Sequence, residues 1–197
     1  MNFSGKYRYL TMMAGAAVML TTAHDAQAQT VTVDTDVDVQ NTLTLTVQKT
    51  LNFGKIVAVD NDATKVASVE LDPVTGALGA PATTGTPALI AILDPTNVSR
   101  GLIDVEDGAN GAPINITINN VVSPVLATKT FTLDLWETAY NAGAATSRTA
   151  GTTFTHAFDT TFNGGVNTLK VGATLKTTDV VYGDGNYDGG FDVTFSY

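Results

Sequence analysis

The residue best suited to proton transfer near neutral pH is histidine, and residues 29–197 contain one, His156, within TTFTHAF. A Ser-His-Asp arrangement needs such an imidazole to take the hydroxyl proton. His156 shares strand parity with Phe154 and Phe158, so it is expected to pack on or beside an apolar face rather than act as a base. The chain has no cysteine, which removes thiol chemistry, thiolate metal sites and disulfides, and one histidine is too few for a typical zinc site. Carboxylates offer a different chemistry, the holding of a hard cation. Asp184, Asn186 and Asp188, followed by Gly189, fit the opening of an EF-hand loop, D-x-[DN]-x-[DN]-G, in which oxygens at alternate positions wrap calcium. The bidentate glutamate that should close the loop is replaced by Phe195. An ordinary Gly/Asp/Asn turn is therefore the default expectation, with these three residues as calcium candidates. Asp60, Asp62, Asp104, Glu106 and Asp107 read as exposed loop acids. Asn97-Val98-Ser99 and Asn115-Ile116-Thr117 match a glycosylation sequon that matters only in a eukaryotic secretory pathway. No local motif assembles a catalytic site, so the chain is expected not to be an enzyme and to use no cofactor.

Without local chemistry, the long-range pattern carries the reading. At the N-terminus, Lys6 and Arg8 precede the apolar run YLTMMAGAAVMLTTA, and Ala26-Gln27-Ala28 supplies a small-x-small cleavage signal, so residues 1–28 are expected to be a secretory signal peptide. The apolar run falls short of the ~20 residues needed to cross a bilayer, and no second stretch of that kind follows. Cleavage after Ala28 takes away two of the 10 basic and one of the 19 acidic residues, leaving 8 against 18 and a formal charge of −10. Such a surface repels phosphate backbones and anionic lipids, so neither nucleic acid nor a membrane surface is an expected partner.

In the remaining chain, apolar side chains recur every second residue. Ile114, Ile116 and Ile118 alternate with Asn115, Thr117 and Asn119, and Phe131, Leu133 and Leu135 with Thr132 and Asp134. Leu169, Val171, Ala173 and Leu175 form a third such series, and Phe191, Val193, Phe195 and Tyr197 a fourth. This is the period of half-buried strands. Clusters of Gly, Asn, Asp and Pro separate them at 60–62, 73–81, 106–113, 141–151, 163–165 and 183–190. The spacing predicts one antiparallel β-sandwich of about ten strands over residues 42–197.

LNFGKIVA at 51–58, LKVGATL at 169–175 and the closing YGDGNYDGGFDVTFSY at 182–197 resemble a bacterial exported group, domain-of-unknown-function family 4402. Leu51, Phe53, Gly54 and Ile56 match its opening motif, and Val171, Gly172 and Leu175 its middle one. Gly185, Tyr187, Gly189, Phe191, Val193 and Tyr197 match its closing motif, while Ala173 stands where a second glycine is usual. The resemblance implies an immunoglobulin-like, pilin-like sandwich with a structural or adhesive role, handled by a periplasmic chaperone and an outer-membrane usher. In pilus subunits of that kind the chaperone grasps the final strand, which here would be Phe191, Val193, Phe195 and Tyr197.

The segment TVTVDTDVDV at 30–39 fits the same picture. Val31, Val33, Thr35, Val37 and Val39 share one face, Thr32, Asp34, Asp36 and Asp38 the other, and Gln40-Asn41-Thr42 interrupts the pattern before alternation resumes at Leu43. A strand donated to a neighbour needs this pattern, because main-chain bonds give affinity while alternate side chains fill pockets. Residues 29–41 are therefore a candidate donor extension, and the expected function is that of a fibre or pilus subunit, exported through the periplasm to the cell surface and assembling with copies of itself or related subunits. A strand that pairs within its own molecule needs the same alternation, so the alternative is a monomeric cell-envelope binding or adhesion module.

Overall fold

Alternating isoleucine, valine and leucine with threonine and asparagine leaves each segment one oily and one wet face, and only pairing into sheets satisfies both the side chains and the backbone. The computed structural model describes residues 42–59, 65–85, 88–178 and 181–197. The expected signal peptide, the extension 29–41 with Val31, Val33, Thr35, Val37 and Val39, and the turn acids Asp60 and Asp62 lie outside the described residues. Within them the strands are β1 (Thr44–Lys49), β2 (Lys55–Val59), β3 (Ala67–Glu70), β4 (Ala82–Thr83), β5 (Leu89–Asp94), β6 (Gly101–Glu106), β7 (Pro113–Leu126), β8 (Lys129–Tyr140), β9 (Thr146–Arg148), β10 (Thr153–Ala157), β11 (Asn167–Thr177) and β12 (Asp188–Ser196). A 3-10 turn at Phe162–Gly165 is the one helical element described.

Every pairing is antiparallel, and the main sheet runs β1-β6-β11-β8-β7-β10. β12 adds to β7, β3 pairs the far half of β11, β4 adds to β3, and β9 to β8. β7 and β8 meet only at their hairpin, Val125 opposite Thr130 and Leu126 opposite Lys129. There the sheet folds over, setting β10, β7 and β12 as one layer against the β1-β6-β11-β8 layer, in a sandwich-like arrangement. A separate ribbon, β2 with β5, packs Ile56, Ala58, Ile90 and Ile92 toward the same core.

The core is built from the predicted alternations. Ile114, Ile116 and Ile118 are fully buried on β7, as are Leu169, Val171 and Ala173 on β11, each isoleucine, leucine or valine contributing about 1.5–3 kcal/mol. Phe191 on β12 spans the layers, its ring 4.8 Å from that of Trp136 on β8. Gly172 is required because the chain at Leu71 to Pro73 crosses directly above it: a Cβ there would lie 2.0 Å from the Leu71 carbonyl oxygen. Gly54, at φ +71°, turns LNFG so that Leu51 and Phe53 both reach the core.

One predicted alternation breaks. Leu135 was expected to share a face with Phe131 and Leu133, but it sits at φ 45° and is 64 % exposed, while Trp136, Thr138 and Tyr140 turn inward. The cause is a bulge where β8 pairs β11, between Gly172 and Thr174. One extra residue inverts the parity of everything after it. Asn120, at φ 48°, lies where the β7–β12 register shifts in the same manner.

Candidate functional site

Cross-strand partners in an antiparallel pair point to the same face. In the β1–β6 pair, Leu45 stands opposite Val105 and Val47 opposite Ile103. Val105 and Ile103 are buried at 0 % and 9 % exposure, yet Leu45 and Val47 are 45 % and 65 % exposed. Two side chains of β1 therefore point to the inner side of the sandwich yet remain exposed. The reason is the unequal width of the layers: opposite β1, the β10-β7-β12 layer ends at β12, which pairs only with β7 among the described residues. β1 likewise pairs only with β6.

The outcome is an open groove lined by Leu43 and Leu45 on one side and by Phe195, Ser196 and Tyr197 on the other. Leu43 and Phe195 continue into the core, whereas Tyr197 is 42 % exposed at the rim. Along β12, Phe191, Val193 and Phe195 face inward and Asp192, Thr194 and Ser196 outward. Of the four C-terminal residues predicted as a partner's handle, Phe195 and Tyr197 line the groove, whereas Phe191 and Val193, further back along β12, pack against the core. Leu43, Leu45 and Val47 were read only as part of a domain strand. Their alternation was visible in the sequence, but whether a strand lies opposite them is a property of the other layer.

Of the other predicted candidates, Asn186, Asp188 and His156 have partners within the fold. Asp184 and Asn186 lie in the exposed loop before β12 and Asp188 opens that strand, with the Asn186 amide donating to the Asp188 carboxylate. Among the described residues no three His, Cys, Asp or Glu side chains converge as metal ligands. The loop is braced by rings instead: Tyr182 stacks on Phe131 at 4.4 Å, Tyr187 meets Phe131 edge-on at 5.0 Å, and the Tyr187 hydroxyl donates to the Gly183 carbonyl at 3.1 Å.

His156 is half-buried beside Phe154 and stacks on Tyr140 at 4.5 Å, with rings 7° from parallel. The Arg148 guanidinium lies 4.0 Å above the Phe154 ring and 3.5 Å from His156 Nε2. Burial, then the Arg148 charge, lower the His156 pKa. Burial, with Asp159 nearby, pushes the Tyr140 hydroxyl up to about 12. A neutral imidazole stacked on a protonated phenol is a packing element, and no serine or carboxylate partner completes a relay around it among the described residues. A second depression, lined by Glu70, Leu135, Trp136, Glu137, Ser147, Arg148, Thr149 and Thr174, holds two carboxyl groups, Glu70 and Glu137. Burial first, and then the charge of Glu70, raise the Glu137 pKa.

Among the described residues no helix is long and apolar enough to cross a membrane. Neither a known family model, nor a curated protein, nor a solved structure matches this chain.

Proposed function

We propose that this chain is an exported fibre subunit whose sandwich is completed by an extended strand from a neighbouring copy, in the manner of the chaperone-usher pilus subunits, a reading supported by the resemblance of its motifs to the exported family 4402, which is itself pilin-like. The observation that carries this reading is the exposure of Leu45 and Val47 on an inner face. A further strand in the opposite layer would cover them, hydrogen-bonding to the edge of β12 that has no partner strand among the described residues. Residues 30–39 have the pattern for that place, with Val31, Val33, Thr35, Val37 and Val39 turned onto β1 and Asp34, Asp36 and Asp38 left in water. Ten residues span about 33 Å, which suits the nine residues of β12.

Burying the four valines contributes at most roughly 6–12 kcal/mol. This is comparable with the whole stability of a domain, about 5–15 kcal/mol, so the added strand would decide whether the sandwich persists. Before assembly the same edge of β12 would be the place for a periplasmic chaperone to hold Phe191, Val193, Phe195 and Tyr197. The experiment is to remove residues 29–40 and measure urea denaturation with and without a synthetic peptide of residues 30–39. The expected result is a weakened domain that the peptide stabilises in trans, and that a Val33→Asp/Val37→Asp peptide does not. A truncated domain that is fully stable and indifferent to the peptide would overturn the reading and leave a monomeric envelope protein.

A further inference from the structure

We infer that the outward face of the β2–β5 ribbon is a contact surface for a second copy of this chain. Its inward face is accounted for, since Ile56, Ala58, Ile90 and Ile92 pack on the core. Its outward face is apolar as well: Val57, Leu89 and Leu93 are 37 %, 45 % and 60 % exposed, with Val59 and Ala91 beside them. The water-facing sides of the first half of β7 and of β12 carry Asn115, Thr117, Asn119, Asp192 and Thr194 instead, with exposed valines only past the register shift at Asn120, at Val122 and Val125. A strand with one wet face ordinarily takes the polar half of the alternation there. A contiguous apolar exception is what a contact surface looks like.

Charge selects the partner. The chain holds 19 acidic against 10 basic residues, so two copies meeting at most surfaces set carboxylates against carboxylates. The ribbon is neutral, with Lys55 directly across from Asp94 at one end. A two-fold axis running along the strands lays β2 of each copy on β5 of the other. It places Lys55 of each copy on Asp94 of the other and, from the pairing of Val57 with Ala91, sets a larger side chain over a smaller one at both positions. The surface is thus self-complementary in shape and charge, as an isologous contact must be. A ribbon of five and six residues covers far less than the about 1,000 Å² of a stable interface, so the contact is weak and reversible.

The test uses full-length mature protein carrying Val33→Asp and Val37→Asp, which removes assembly by a donated strand, with the synthetic peptide of residues 30–39 in excess, so that the domain is folded whether or not the fibre reading holds. Sedimentation equilibrium should then show a monomer–dimer equilibrium populated only at high concentration. Leu93→Asp should abolish the dimer, and Val122→Asp, at an exposed site on β7, should leave it intact. Lys55→Glu should weaken the dimer at low salt and less so at high salt. A chain that stays monomeric throughout, or a dimer insensitive to Leu93→Asp, overturns the inference. A dimer insensitive to Lys55→Glu overturns the two-fold arrangement.

Discussion

His156 joins local packing to a measurable property. Its imidazole is stacked on Tyr140 and faces Arg148, and burial with that cation lowers its pKa below the usual 6.5. In the unfolded chain the ring takes up a proton more readily than in the fold. Its contribution to stability is therefore present above pH 6.5 and is lost as pH falls through the lowered value. Glu137 runs the other way. Its raised pKa, caused first by burial and then by Glu70, means a contribution present below the ordinary 4.5 and lost as pH rises through the raised value. Comparing wild type with His156→Phe cancels Glu137. Urea denaturation between pH 7.5 and pH 5 should show wild type losing more stability than the variant, whose ring keeps the stack on Tyr140 without a titrating nitrogen. Equal slopes would mean that the imidazole is as free to protonate in the fold as in water. The sequence placed His156 correctly beside Phe154, because strand parity fixes which side chains share a face. It did not reveal Tyr140 or Arg148, which reach the same spot from β8 and β9.

At the scale of the strands, the period of two reads burial correctly where the strand is central and the alternation unbroken. Ile114 to Ile118 and Leu169 to Leu175 are buried as the alternation requires. It was misread at Leu135, because a bulge depends on the partner strand: β11 shifts register between Gly172 and Thr174, and nothing in FTLDLWETAY announces that. The groove is opaque for the same kind of reason. Leu45 and Val47 carry the signature of buried residues, and their exposure follows from the opposite layer ending at β12. The bulge also makes a prediction. Leu135 is held at φ 45° while 64 % exposed, a conformation that costs a residue with a Cβ roughly 1–2 kcal/mol and here returns little burial. Leu135→Gly relieves that strain and should raise the unfolding free energy by up to about 1 kcal/mol, after the extra freedom glycine gives the unfolded chain. Leu135→Ala keeps the strained backbone and should show no gain. If the glycine variant is no better than alanine, the bulge is not where strain resides.

At the scale of the whole molecule, the groove between β1 and β12 and the outer face of the β2–β5 ribbon are two exposed apolar regions among the described residues, and both are set in a strongly acidic chain. On the proposed function, each added subunit brings a further copy charged at about −10, from 8 basic and 18 acidic residues after signal removal. The incoming strand also presents Asp34, Asp36 and Asp38 alongside Asp192 of β12. Approach is therefore opposed by charge, whereas the bound state is held by valine burial and main-chain hydrogen bonds, which salt does not screen. These two steps should respond differently to ionic strength. Raising salt from about 10 mM to about 150 mM shortens the screening length from roughly 30 Å to roughly 8 Å, so light scattering should show the mature protein assembling faster. The urea midpoint of the domain already holding the 30–39 peptide should hardly move over the same range. Assembly that slows with salt would mean that copies are drawn together by opposite charges, and a donor segment with three aspartates in its solvent face would then be the wrong element to look to.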